Sequence, residues 1–245
     1  MAARNRIRPF EARRAMRALL ANPDDTEQAF RVISALSGNS GLRQLRRFRN
    51  TPTGARVLRE RSGPLEILTD DERMQSMPDG SLGAGLRDFY AAEQLSPGGL
   101  VDASEAAFTA GPDAAAGEAG ADPDAELFGQ RLRDLHDVFH VLTGYGRDLR
   151  GEAAVLAFTV PQTRNPGVAY IVWTALRRAG FRSEFGILIR HAFRRGRRAV
   201  WLPGQDWEHL FERPLDGLRE EFRIGDPPIY EQVRSAGAPP VPADA

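Results

Sequence analysis

Apolar residues recur at helical spacing in nearly every segment of this 245-residue chain, and this pattern constrains the fold more than any other feature. Side chains that repeat every three to four residues line one face of a helix, whereas a half-buried strand alternates every two residues. Leu65–Leu68 is the only strand-like run, and it is too isolated to form a sheet. The sequence therefore predicts an all-α protein, a single multi-helix domain whose main helices cover residues 8–20, 81–95, 122–142, 168–179, 183–200 and 207–222.

Residues with capping side chains mark where several helices begin. Asp24 is expected to cap the second helix, whereas Asp122 and Asp148 are expected to cap two helices separated by a short break at residues 143–146. Pro161 is expected to end the later helix at the residue before it. An internal proline removes a hydrogen-bond donor and collides with the preceding turn.

Two segments lack any helical pattern. Residues from about 96 to 121 are rich in alanine and glycine and are predicted to form a flexible loop before the next helix. Residues 236–245 are predicted to be a disordered tail, because neither segment can bury enough apolar surface to become ordered. The remainder, residues 1–235, is predicted to be one domain.

Composition excludes several classes of function. The chain has no cysteine, which excludes disulfides and thiolate metal sites. Its formal net charge is zero, so we expect no nucleic-acid partner held by bulk charge. No apolar run approaches the roughly 20 residues of a membrane span, and no apolar signal core follows Met1. These observations favour a cytoplasmic protein.

Histidine and acidic residues with metal-ligand spacing occur together in one stretch. His136 and His140 lie four residues apart and share a helix face, and Asp137 can lean towards the same site. Glu152 is expected on the inward face of the following helix. Two imidazoles and two carboxylates form a ligand set suited to a divalent metal. The alternative is that a half-buried histidine and aspartate form only a structural hydrogen-bonded pair.

Other chemistry finds little support in the sequence. Gly144 and Gly146 do not follow a strand, so they do not form a phosphate-binding loop, and no serine nucleophile elbow is present. His191 and His209 lie in other helices and are expected to be solvated or hydrogen-bonded within the core rather than metal ligands. The metal site is therefore the chemistry that the sequence favours.

The metal-ligand stretch resembles the signature of a known family. His136-Asp137-x-x-His140, followed after eleven residues by Glu152, is similar to the HDxxHx11E motif of the Coq4 family of ubiquinone-biosynthesis proteins. The resemblance extends over about residues 8–228. It includes the sequences PTG at 52–54, SLG at 81–83, LTG at 142–144, DWE at 206–208, RPL at 213–215 and LREE at 218–221.

This resemblance implies a specific activity. Coq4 proteins act on the polyprenylated aromatic ring of the ubiquinone precursor, where the C1 carboxyl group is lost and replaced by hydroxyl. By resemblance, His136, Asp137, His140 and Glu152 are expected to be the metal ligands and the catalytic residues of a 4-hydroxy-3-polyprenylbenzoate-type decarboxylase, a lyase. The family implies zinc, whereas iron or manganese would suit an oxidative decarboxylation better. Two alternatives stay open: a non-catalytic scaffold that binds the prenylated lipid and organises an enzyme complex, and a purely structural metal.

The resemblance also implies partners and a location. We expect the prenylated quinone precursor, other ubiquinone-biosynthesis proteins, a second copy of the chain in a homo-oligomer, and an anionic membrane surface. The basic helix over residues 183–200 is the candidate membrane contact, with Phe185, Leu188, Ile189 and Phe193 entering the interface and its arginines meeting headgroups. The alternative is a core helix with a solvated arginine face. The expected location is cytoplasmic, peripheral on the inner face of the cell membrane.

Overall fold

The regular secondary structure is helical throughout residues 6–95 and 122–234, the parts of the chain that the computed structural model describes, apart from one isolated bridge between Ser81 and Pro214. The all-α prediction is confirmed for these residues. The predicted flexible loop (96–121) and disordered tail (236–245) lie outside the described residues, and the domain limits stay a prediction. The helices are α1 (Pro9–Ala21), α2 (Thr26–Ser37), α3 (Ser40–Arg49), α4 (Pro52–Glu60), α5 (Leu65–Leu68), α6 (Asp71–Gln75), α7 (Leu82–Glu93), α8 (Pro123–Thr143), α9 (Leu149–Thr163), α10 (Pro166–Ala179), α11 (Glu184–Arg198) and α12 (Leu215–Glu221).

Several helices begin where a side chain accepts hydrogen bonds from free N–H groups of the first turn. Asp122 and Asp148 cap α8 and α9, as predicted, by accepting from N–H groups two residues further on. At α2 the cap is Asp25 rather than Asp24, and it accepts from Gln28 N at 3.2 Å. The helix begins at residue 26, so Asp24 lies one residue too early to serve as the cap.

The strand-like run Leu65–Leu68 is one turn of helix, α5, so that interpretation of the run is wrong. Pro64 precedes the turn, and its carbonyl oxygen accepts from the N–H groups of Ile67 and Leu68. Both of these side chains are buried in the main core. A run of four apolar residues does not distinguish a strand from a helical turn by periodicity, and here packing decides.

The helix α9 does not stop before Pro161 but continues to Thr163, which corrects the predicted boundary. Gln162 is buried, and its side-chain amide donates to Gly196 O at 2.6 Å and accepts from Leu202 N at 2.9 Å. These bonds hold the last turn in place although the proline removes one helical hydrogen bond.

The helix predicted over residues 207–222 is divided. A 3-10 turn covers Trp207–His209, and α12 starts only at Leu215. Pro214 disfavours helical backbone at the residue before it. The carbonyl oxygen of Arg213 instead accepts from Leu82 N at 3.0 Å, which joins this segment to the start of α7.

The main core lies around α8, α9 and α11. Helices α9 and α11 pack closely because Gly196 has no side chain: a Cβ there would lie 2.1 Å from Phe158 O. Leu135, Phe139 and Trp207 are buried in the same cluster and fix the inner face of α8. Within residues 6–95 and 122–234, no helix combines the length and apolar composition needed to cross a membrane.

A buried ion pair anchors the middle of α8. Arg131 is almost completely buried, pairs with Glu208, and donates to Gln205 O at 2.7 Å. Glu208 also lies 3.6 Å from Arg56 of α4. Breaking a buried pair leaves an uncompensated charge, so this contact holds α8 against the segment that precedes α12.

Candidate metal centre

The two motif histidines lie on one face of α8, as their spacing predicts. His140 is buried, whereas the side chain of His136 is one-quarter exposed. Their Nε2 atoms lie 3.2 Å apart. Phe89 of α7 stacks on the His140 ring at a centroid distance of 5.6 Å and forms an aromatic wall beside the pair.

A backbone turn orients His140. The helix ends at Gly144, whose φ of 73° is left-handed, and the chain then returns Tyr145 O to within 2.9 Å of His140 Nδ1. Because a carbonyl oxygen only accepts, Nδ1 carries the proton and Nε2 presents its lone pair to the site. Bonds of this kind fix the tautomer of histidines that bind metals.

Glu152 completes a three-residue cluster from the first turn of α9. Its Oε2 lies 3.5 Å from Nε2 of both His136 and His140. Burial opposes ionisation of Glu152, but the two imidazoles hold its pKa well below the ordinary value. Burial by itself lowers the pKa of His140, yet the Glu152 carboxylate raises it above the usual value.

These three residues fit a divalent metal ion. One ligand atom from each of His136, His140 and Glu152 lies within 4.8 Å of the others, and both imidazole ligands are Nε2 atoms directed at the carboxylate. Two histidines and one carboxylate are a donor set found at catalytic zinc and non-haem iron sites that keep a position open. His136 and Glu152 are partly exposed, which leaves one side of the cluster accessible.

The structure places Asp137 beside this cluster rather than in it. Its carboxylate lies near Tyr90 of α7, and burial, together with this carboxylate, raises the pKa of Tyr90. Asp137 is still close enough to contribute to the raised pKa of His140. Among the described residues, the metal-ligand cluster contains His136, His140 and Glu152 without Asp137.

Sequence reasoning did not anticipate the residues that surround the cluster. Arg147 Nε lies 3.5 Å from Glu152 Oε1, and the arginine side chain is one-third exposed. Phe89 and Tyr90 come from α7, more than 40 residues before the motif. These side chains come from separate segments and form no pattern in the sequence. Only the folded structure shows that they lie beside the cluster.

The segment 226–234 fastens the start of α9. Asp148 is buried and accepts from Tyr230 Oη at 2.7 Å and from Val233 N at 3.0 Å, in addition to the N–H groups that it caps. Tyr230 Oη also accepts from Gly146 N at 2.9 Å. Beyond it, Arg234 pairs with Glu93 of α7 at 2.6 Å. The segment 226–234 therefore connects the loop between the ligand helices, through Tyr230, with α7, through Arg234.

The remaining histidines lie apart from the cluster, as expected. His209 is exposed, and its Nδ1 lies 2.8 Å from Asp206 Oδ1. His191 is on the outer surface of α11, where burial and then the neighbouring arginines lower its pKa.

The basic helix α11 exposes a different apolar face from the one predicted. Leu188 and Ile189 are buried in the main core and do not reach the surface, which corrects their assignment to a membrane contact. Ile187 and Phe193 are the large apolar side chains that α11 exposes, because α9 covers the face carrying Leu188 and Ile189. Phe185 is partly buried.

Comparison with known proteins gives a consistent family. The family model for coenzyme Q (ubiquinone) biosynthesis protein Coq4 matches residues 120–228, which contain the whole cluster. The chain is 31% identical to the rat ubiquinone biosynthesis protein COQ4 homolog, mitochondrial, over 210 residues, or 82% of this chain and 72% of the rat protein. The human protein of the same name is 30% identical with the same coverage.

The fold has a counterpart in a solved structure. A crystal structure of a protein from Nostoc punctiforme ascribed to ubiquinone biosynthesis covers 90% of this chain and aligns over 100% of its own length, with a TM-score of 0.63. Its sequence identity is 18%, so the similarity concerns the helical architecture.

The names of the relatives correct the expected location. The rat, human and Aspergillus clavatus relatives are named as mitochondrial proteins, which contradicts a cytoplasmic protein on the inner face of the cell membrane. That expectation was based on the lack of an apolar signal core. Mitochondrial transit segments are amphipathic and arginine-rich, so hydropathy does not detect them.

Proposed function

The chain belongs to the Coq4 family of ubiquinone biosynthesis proteins, and we propose that it acts in this pathway as a metal-dependent decarboxylase. Its proposed substrate is a 4-hydroxy-3-polyprenylbenzoate-type precursor, whose C1 carboxyl group is replaced by hydroxyl. Its proposed partners are this lipid, an anionic membrane surface, other proteins of the pathway and a second copy of the chain.

The observation that carries the proposal is the convergence of His136, His140 and Glu152 on one partly open point. We propose that these residues hold one divalent ion. Such an ion polarises a bound carboxylate or ring hydroxyl, and iron or manganese, unlike zinc, also supplies redox chemistry. We propose that Asp137, predicted as a fourth ligand, is instead a positioning residue near Tyr90 and His140.

The proposed reaction requires dioxygen as an external oxidant. The bond between C1 and the carboxyl carbon breaks and carbon dioxide leaves, while one oxygen atom of dioxygen enters at C1. The second oxygen atom leaves as water, with two protons and two electrons from an external reductant. The residues of the chain bind and orient the substrate. The guanidinium of Arg147 pairs with the substrate carboxylate, and Phe89 packs against the aromatic ring of the substrate.

Complementation with a matched control tests this function. In a strain that lacks the protein, we expect a His136→Ala/Glu152→Ala variant to restore no ubiquinone and to accumulate a C1-carboxylated intermediate. The control, His209→Ala/Glu212→Ala, removes the same residue types from exposed positions and should restore synthesis fully. Full rescue by His136→Ala/Glu152→Ala at equal protein level would instead favour the non-catalytic scaffold.

The membrane part of the proposal is supported by exposed side chains of α10, α11 and the turn that joins them. Trp173, Phe181, Ile187 and Phe193 are exposed there, and the rings of Trp173 and Phe181 contact each other at 5.7 Å. Exposed arginines lie on the same two helices and the turn that joins them: Arg177, Arg178, Arg182, Arg190, Arg194 and Arg197. Exposed aromatic and aliphatic side chains together with positive charge suit the interface of an anionic bilayer.

Vesicle flotation measures this contact. Each arginine near an anionic surface contributes about 1 kcal/mol, so Arg190→Glu/Arg194→Glu should lose most binding to anionic vesicles. Wild-type binding should weaken at high salt and on neutral vesicles. Arg13→Glu/Arg17→Glu makes the same charge change on exposed positions of α1 and should bind like wild type. Equal losses in both variants would indicate only diffuse charge attraction and would exclude this surface as the contact.

A further inference from the structure

A cavity of about 400 Å³ lies between α11, α12 and the turn that follows α12. It is separate from the histidine–glutamate cluster, and its lining is strongly basic. The side chains and backbone that line it belong to His191, Arg195, Arg198, Arg219, Glu220, Arg223, Ile224, Gly225 and Asp226.

Two of its arginines are fixed in place by backbone carbonyl groups. Arg195 is buried and donates to Thr143 O and Ile224 O at 3.0 Å, and to the carbonyl oxygens of the two residues after Ile224. Arg219 donates to Val141 O and Leu142 O at the end of α8. Neutral carbonyl groups orient both guanidinium groups and leave the charge of Arg195 unneutralised, whereas Arg219 also pairs with Asp216 Oδ1 at 2.8 Å.

The other two arginines have exposed guanidinium groups. Within residues 6–95 and 122–234, the side chains of Arg198 and Arg223 have no hydrogen-bond or ion-pair partner. Arg223 is also held at a φ of 57°, a left-handed backbone conformation that is unfavourable for a non-glycine residue. The four guanidinium groups therefore outnumber the three carboxylates beside them, those of Glu220 and Asp226 in the lining and Asp216 on Arg219.

We propose that this cavity binds a phosphate group. Arginine forks match phosphate oxygens in paired hydrogen bonds, and the unpartnered guanidinium groups of Arg198 and Arg223 are free to make them. The fixed Arg195 and Arg219 add positive charge to the same cavity. Glu220 and Asp226 can accept hydrogen bonds from hydroxyl groups attached next to it. The ligand class is a phosphate ester with a hydroxylated substituent, supplied either by a lipid headgroup or by a free ester.

Titration calorimetry of the full chain tests the site with three probes: inorganic phosphate, glycerol 3-phosphate, and dihexanoyl phosphatidylglycerol below its micelle concentration. We expect saturable binding, weakened about tenfold or more in Arg198→Gln/Arg223→Gln. The control Arg13→Gln/Arg17→Gln carries the same charge change on α1 and should bind like wild type. Arg223→Gly removes one guanidinium while relieving the left-handed backbone, so its weaker binding cannot come from a destabilised fold.

The outcomes separate the sources of phosphate. Tighter binding of the short-chain lipid than of glycerol 3-phosphate assigns the site to a headgroup, and equal or weaker binding assigns it to a free ester. No saturable binding of any probe overturns the proposal. It is also overturned if the α1 control loses as much affinity as the cavity variants, because the attraction would then be nonspecific.

Discussion

Replacing Gly151 by alanine should lower the free energy of unfolding by at least about 2 kcal/mol and weaken metal binding, although alanine is the better helix former. A Cβ at this position would lie 2.0 Å from Gly146 O and 2.6 Å from Tyr230 Oη. The first contact is with the loop before α9 and the second is with the segment 226–234, and both hold the start of α9. Relief of the clash must move backbone and therefore shift Glu152, the next residue.

The same substitution at Gly129 is the matched control. Gly129 is an exposed position inside α8, and a Cβ there would meet nothing within 4 Å. Gly129→Ala should therefore stabilise the protein by up to about 1 kcal/mol. Denaturant unfolding of both variants measures the change in the free energy of unfolding, which should be negative for Gly151→Ala and positive for Gly129→Ala. If Gly151→Ala is as stable as Gly129→Ala and binds metal normally, the close approach of the 144–148 loop to α9 is not required for the site.

Much of the helical architecture could be predicted because periodicity and capping are local. The stripe that includes Leu135 and Phe139 indicates α8, and Asp122 and Asp148 mark the starts of two helices correctly. Boundaries set by distant contacts could not be predicted. The bonds of Gln162 to Gly196 and Leu202 carry α9 past its proline, and these partners are 34 and 40 residues away.

The candidate site divides in the same way. The positions of His136 and His140 follow from the helical repeat, and Glu152 follows from its place near the start of the next helix. The surroundings of Asp137 do not follow from any local pattern, because the neighbouring Tyr90 lies on a helix 47 residues earlier in the chain. The role of Tyr230 could not be predicted either, because the segment that contains it has no helical pattern. Its position is fixed by hydrogen bonds to Asp148 and Gly146.

The surface of α11 gives a second case in which amphipathic pattern was insufficient. A run of apolar and arginine residues shows that one face is buried but not which residues remain outside. Gly186 and Gly196 bring the helix backbone against other backbone segments, and this contact sets its rotation. Leu188 and Ile189 then enter the core, while Ile187 and Phe193 stay exposed.

Metal content of purified protein is the most direct test of the central claim that His136, His140 and Glu152 form a metal centre. We expect elemental analysis of the wild-type chain to give about one divalent ion per chain. His140→Ala should reduce it to near zero, since this variant removes the buried ligand whose Nδ1 is fixed by Tyr145 O. His209→Ala removes an exposed histidine and should keep the ion. Equal metal content in wild type, His140→Ala and His209→Ala, or no stoichiometric metal in any of them after metal reconstitution, would contradict the metal centre.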